Sequence, residues 1–209
     1  MKNYPVKKNQ ELEVDILDLS HEGNGIAKVD GYLLFIENTL PNERALVKVL
    51  KVGNKFGFAK VMKLLQASPD RQELPNKALL RTGIAPLSHL SYDKQLAFKQ
   101  QQVENVLAKI AKLPEIKVNA PIGMEKPFGY RNKAQMIHGE LTTGFYRKNS
   151  HTLVPIEDFY IQDPNIDQAI IKVRDILQRF NVKAYNEEAH EGFLRHIVVR
   201  RGHHSGEMM

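Results

Sequence analysis

With 209 residues, 42% of them hydrophobic, the chain has enough apolar material for a core and is not disordered by composition. Its formal net charge of +6 favours an anionic partner. The absence of cysteine excludes disulfides, thiolate metal sites, cysteine-ligated iron–sulfur clusters and a cysteine nucleophile.

The N-terminal stretch MKNYPVKKNQELEV lacks the apolar run of a signal peptide, and no segment approaches the roughly 20 apolar residues that span a bilayer. The expectation is a soluble, cytoplasmic protein. Strand-like runs follow at Leu12 to Leu19, Ile26 to Val29, Tyr32 to Ile36, Arg44 to Val52 and Phe56 to Leu65. Glycines punctuate them at 23, 25, 31 and 53. Five short strands so punctuated predict a small closed barrel. Alternation puts Ala45, Val47 and Val49 on one side of the fourth run, opposite Arg44, Leu46 and Lys48. Lys51, Lys55, Lys60 and Lys63 extend the basic character, a pattern that serves edge protection as well as ligand binding.

Residues 66–90 read as a linker, because Pro69, Pro75, Gly83 and Pro86 interrupt every periodicity. A helix then runs from Ser91 or Asp93 to about Leu113, stopped by Pro114, with Leu96, Val103, Val106, Leu107 and Ile110 on one face. Candidate strands are Lys133 to His138, Thr143 to Arg147 and Leu194 to Arg200. A second helix, Asn165 to Phe180, carries an Ile166, Ile170, Val173, Ile176 and Leu177 stripe. This order implies an α+β second domain.

Three stretches set aromatic beside basic side chains: Phe128 to Lys133, Gly144 to Lys148 and Leu194 to Arg201. Aromatic rings stack on unpaired bases while arginine and lysine hold phosphates, so the three point to RNA. The histidines do not point to a metal. His203 and His204 are adjacent and face opposite ways in extended chain, and His190 and His196 lack an i, i+4 relation. Glu187 and Glu188 read as a solvated loop. His21 to Gly25 resembles a phosphate loop only superficially, since the Gly-x-Gly-x-x-Gly spacing is missing.

The run Glu22-Gly-Asn-Gly-Ile-Ala-Lys-Val-Asp-Gly31, followed by Pro41-Asn-Glu43, resembles a TRAM domain, an OB-like RNA-binding barrel. His89 to Lys99, Tyr130 to Lys133, Gly144 to Arg147, Ser150-His151, Ile161-Gln162 and Gly192 to Arg200 continue the likeness. Together they resemble the bacterial RNA uracil-5-methyltransferases, in particular the 23S ribosomal RNA enzymes. The resemblance implies a five-stranded TRAM barrel over 1–65, a linker over 66–90 and a central α+β RNA-recognition domain over 91–209 that includes the helix at 91–113. It also implies a Rossmann domain that binds S-adenosylmethionine and carries a cysteine nucleophile, absent from these residues. The expectation is therefore a truncated, noncatalytic RNA-recognition portion. A stand-alone RNA-binding protein and a degenerate remnant are the competing readings.

Iron–sulfur members of that family place cysteines where this chain has Thr82, Ala85 and Phe159, with another near Leu74 to Asn76. A cluster is not expected here. The residues expected to meet RNA, ribosomal by this resemblance alone, are Tyr130, Arg131, Lys133, Phe145, Tyr146, Arg147, Arg195, His196 and Arg200. Phe145 and Tyr146 alternate, so at least one of them is expected to face the core, and Arg131 and Arg195 have the alternative role of holding the fold through carboxylates. No catalytic, metal-binding or cofactor-binding residue is assigned. The apolar face of the 91–113 helix is expected to be partly uncovered and open to association.

Overall fold

A computed structural model describes residues 4–137, 141–148, 150–186 and 189–209. The fold is sheet-rich with few helices. It divides into two compact units, residues 1–74 with 86–122, and residues 75–85 with 123–209.

The first unit is built on six strands: β1 (Glu11–Asp15), β2 (Asp18–Leu19), β3 (Gly25–Val29), β4 (Tyr32–Ile36), β5 (Arg44–Val52) and β6 (Phe56–Gln66). Their order is β1-β5-β6-β4-β3-β2, antiparallel except for the β4–β6 pair. The expected first run is interrupted at Ile16 and Leu17, where the chain changes partner. Ile16 N donates to Glu43 O, whereas Leu17 N donates to Ile26 O, both at 2.8 Å. One segment thus supplies both outer strands. Between β3 and β4, Asp30 and Gly31 take φ of 48° and 81°. That is the two-residue hairpin geometry whose twist matches the strands, and it needs a residue tolerant of positive φ.

Alternation sorts the strands as expected. Ala27, Leu34, Ile36, Ala45, Val47, Val49 and Ala59 point inward and are joined by Val6, Val14 and Ile16. A polar pin closes one end of this core. The Glu43 carboxylate, wholly buried, accepts from Leu40 N at 2.9 Å, Ser68 N at 3.2 Å and the Arg71 guanidinium at 2.5 and 2.9 Å. Burial alone raises its pKa, but these donors outweigh that and hold it below the ordinary value. His89 is 1% exposed, its ring enclosed in the same unit. Burial, with the Arg71 charge, pulls its pKa down to about 4, so it is neutral.

The stretch read as a linker is therefore packed structure. Ser68, Ser88, His89 and Leu90 are buried in the first unit, while Leu79 and Thr82, in the short helix α1 (Leu79–Thr82), are buried in the second. Proline and glycine removed its periodicity without removing its burial, because irregular backbone bonds such as Gln72 N to His89 O take over.

Helix α2 (Tyr92–Val106) also belongs to the first unit and not, as expected, to the second. It widens into a π-helical turn over Leu107–Ala111, ended by Lys112 at φ 61°. Its apolar face is partly uncovered: Val103, Val106 and Ile110 are exposed, Ile110 by 75%, while Leu96 and Leu107 are half-buried.

The second unit holds β7 (Lys133–Ile137), β8 (Gly144–Tyr146), β9 (Leu153–Pro155), α3 (Pro164–Arg179) and β10 (His196–Arg200). These form two two-stranded sheets, β7 with β10 and β8 with β9. His138, expected at the end of a strand, and the Glu187-Glu188 pair lie outside the described residues. Asp163 caps α3 by accepting from Asn165 N at 2.9 Å, and Pro164 occupies the first turn. Ile166 and Ile170 face the core with Leu79, Ala134, Ile156, Phe159, Ile197 and Val199. Only part of the expected stripe is inward, since Val173 and Ile176 are exposed.

Candidate nucleic-acid interface

The β7–β10 ladder sets Lys133 directly opposite Arg200. Ala134, Ile197 and Val199 fill the inner face, which turns both cations outward. No carboxylate among the described residues ion-pairs with either. Like charges facing each other across a ladder repel, so an anion between them relieves the repulsion. His196 lies at the other end of the ladder, opposite Ile137. At roughly 3.3 Å per residue that is about 13 Å from Arg200.

Arg131 is engaged within the fold. Its Nε donates to Lys133 O at 3.1 Å, and its guanidinium lies 5.8 Å from the Phe145 ring centre. Its backbone bridges Gln162, with Arg131 N donating to Ile161 O and Asp163 N to Arg131 O. Phe145 packs edge-on against Phe159 at 4.3 Å, so it is the core-facing member of its aromatic pair. Tyr146 meets the His151 ring at 5.9 Å, and the Arg147 side chain is exposed. Tyr130 is exposed beside Phe128, whose ring contacts Tyr160 at 5.6 Å. The Arg195 guanidinium lies 3.8 Å over Tyr185, a cation–π pair that the sequence reading left out. The fold thus brings together Lys133 with Arg200 and Arg131 with Phe145. It ties Arg195 to Tyr185 instead of to the other expected residues.

Two further features bear on the site. Gln162 donates to the buried Asp167 carboxylate, which also accepts from Phe159 N at 3.2 Å. Burial pushes Asp167 up to about 6 despite these bonds. The His203 and His204 rings meet edge-on at 5.0 Å instead of facing opposite ways, because they sit in a turn and not in extended chain.

Residues 5–62, which contain all six strands except the end of β6, match the TRAM domain family model. The N-terminal sheet is thus similar to a TRAM domain. The whole chain is 57% identical to an uncharacterized RNA methyltransferase of Enterococcus faecalis, covering 100% of this chain and 47% of that protein. An uncharacterized RNA methyltransferase of Lactiplantibacillus plantarum is 52% identical over 99% of this chain and 46% of its own length. The chain spans about half the length of the curated relatives it matches. Among solved structures it resembles the Pyrococcus abyssi tRNA (uracil-54, C5)-methyltransferase in complex with S-adenosyl-L-homocysteine. The TM-score is 0.73 at 24% identity, over 94% of this chain and 44% of that one, which makes it a likeness of fold.

The TRAM domain's glycine turn does not suit a nucleotide or S-adenosylmethionine. It joins β2 to β3, with no helix N-terminus beyond it, and its amides are used internally: Gly23 N donates to Ser20 O, and Asn24 N to Ser20 Oγ. The Leu87 side chain covers it, since a Cβ on Gly23 would sit 2.9 Å from Leu87 Cδ2. The positions at which the resemblance to that family would put iron–sulfur ligands do not suit a cluster either. Thr82 Oγ1 donates to Leu79 O at 2.7 Å, and Phe159 fills the apolar core. No helix among the described residues is long and apolar enough to cross a membrane.

Proposed function

We propose that these 209 residues are the RNA-recognition portion of an S-adenosylmethionine-dependent uracil-5-methyltransferase acting on 23S ribosomal RNA in the cytoplasm. The observation that carries this reading is the whole-chain identity of 57% with a protein named as an RNA methyltransferase. The TRAM match and the paired Lys133 and Arg200, without an ion-pair partner among the described residues, support it. In this reading the first unit is an OB-like barrel closed through the Glu11–Leu19 segment, and it supplies sequence-independent backbone affinity. The second unit recognises looped-out bases with Tyr130, Tyr146, Arg147, Lys133, Arg200 and His196. Arg131, Phe145 and Arg195 shape that surface from within the fold. Methyl transfer needs a cysteine nucleophile and a cofactor site, and these residues supply neither, so the chemistry belongs to a separate Rossmann domain.

The test is fluorescence anisotropy of the 209-residue chain with 23S rRNA loop fragments and with duplex DNA, across a salt series. Loop RNA is expected to bind more tightly, with affinity falling steeply as salt rises. Lys133→Ala with Arg200→Ala is expected to weaken binding uniformly across sequences and to reduce the salt slope by about 1 to 2. Equal affinity for duplex DNA and loop RNA would sink the reading.

A further inference from the structure

Strand β6 inverts the usual pattern of a half-buried strand. Its inward positions carry its smallest residues, Gly57 and Ala59, and its outward positions carry Phe56 and Phe58. Gly57 has no room for more, since a Cβ there would meet Lys51 O at 2.7 Å and Leu34 Cδ2 at 3.0 Å. The two phenylalanines are 42% and 38% exposed, although burial of such side chains stabilises a fold.

They do not stand alone. The parallel β4–β6 register sets Phe35 opposite Phe58 and Leu33 opposite Phe56 on the same outer face. The three ring centres lie 5.3, 5.7 and 5.9 Å apart. Two of the pairs are edge-on, and Phe35 and Phe58 are tilted by 37°. Such contacts hold the rings in place while leaving aromatic surface in solvent.

The surroundings of this cluster are cationic. Lys60 follows Phe58 by two positions on β6, Lys51 of β5 is in register with Phe58, and Lys28 of β3 is in register with Leu33. All three are exposed, and none makes an ion pair among the described residues. Two carboxylates of the sheet are engaged at its far edge, Glu11 with Lys48 at 3.4 Å and Glu13 with Arg44 at 2.9 Å. A protein partner's apolar surface would satisfy the rings but leave three lysines uncompensated. Unpaired nucleotides offer planar apolar faces and a negative charge at every step, which matches both halves of the patch.

We propose that Phe35, Phe56 and Phe58 form a stacking platform for unpaired RNA bases, with Lys28, Lys51 and Lys60 holding the adjoining phosphates. The inference rests on the RNA reading above and adds a binding face in the TRAM domain separate from Lys133 and Arg200. Duplex RNA is a poor ligand for it, because paired bases already stack on one another.

The protein has no tryptophan, so one introduced here is a unique reporter. In the 209-residue chain, emission from Phe58→Trp is expected to be quenched by a single-stranded oligouridylate and not by an RNA duplex of equal length. Phe56→Ala and Phe58→Ala are each expected to weaken single-strand binding about tenfold. Phe58→Leu keeps the apolar bulk, guards against loss of folding, and is expected to weaken binding nearly as much. If wild type binds single strands and Phe58→Leu binds equally well, the platform is wrong while the RNA reading stands. If wild type binds no RNA, both fall.

Discussion

The TRAM domain and the second unit use the same ingredients in opposite ways. In the first, strands of nine and eleven residues pair along long ladders, so backbone hydrogen bonds hold the sheet and its outer face is left to aromatics and lysines. In the second, three- to five-residue strands need side chains to hold them together. Arg174 is committed to Glu157 and Asp175, Arg201 to Asp163, Arg131 to Lys133 O and Arg195 to Tyr185. Arginine does structural work in the second unit, while Lys28, Lys51 and Lys60 of the first make no ion pair among the described residues. That division teaches caution in reading basic residues as ligand contacts, since a planar, multi-donor guanidinium is also well suited to pinning loops.

The largest effects should come from the two cores. Glu43→Ala leaves two amides unsatisfied and strips the Arg71 guanidinium of all but its bond to Asn38 O, an expected loss of about 3–5 kcal/mol. Phe159→Ala removes the ring that Phe145 packs on, with a similar expected loss of about 3–5 kcal/mol. Amide exchange should accelerate in β5 and β6 for the first variant and in α3 for the second. Acceleration of both sets by either variant would break the comparison.

Acid should also separate the units. Between pH 6.5 and about 4, unfolded chain protonates His89 and the folded TRAM domain does not, so stability is lost as pH falls through that window. The loss is on the order of 3 kcal/mol. Glu43, held low, adds to it only at still lower pH. Asp167 works the other way: between its ordinary 3.8 and about 6 the folded form keeps a proton that the unfolded form releases. Its contribution is present below that window and lost as pH rises through it, so acid favours the second unit. Residue-resolved exchange at pH 6.5 and 4.5 should show β5 and β6 losing protection while α3 does not.

A smaller effect sharpens the contrast between two carboxylate–arginine pairs. Asp163→Ala removes the α3 cap and the 2.7 Å bond to Arg201, an expected loss of about 1–2 kcal/mol by thermal melting. Its more accessible setting makes it cheaper than Glu43. Smallest of all, Arg44→Ala breaks a surface pair with half-exposed partners and should change the melting free energy by about 0.5 kcal/mol or less.

Much of the TRAM domain was legible in the sequence, because each strand is local: alternation and glycine spacing placed β3, β4 and β5 within a residue of their observed limits. What escaped was pairing between distant segments. Nothing local in Tyr32 to Ile36 reveals that it lies parallel to β6, and therefore that Phe35 meets Phe56 and Phe58. The Phe-Gly-Phe-Ala order was visible, but without a partner strand it says only which side is bulky. The 66–90 stretch failed as a linker for the same reason, since the burial of His89 and Leu79 depends on what each meets elsewhere. Among the expected RNA contacts the orientation was not readable, so Phe145 packs on Phe159 and Arg195 lies over a ring.

The continuous Glu11–Leu19 segment has one more consequence, for behaviour at high concentration. An open sheet edge is a template onto which another chain can add a strand. Here the outer strands are only five and two residues long, and they carry Glu11, Glu13, Asp15 and Asp18 at mostly exposed positions. Short, acidic outer strands make a poor template for backbone addition, so any association through the exposed phenylalanines is a question of side chains.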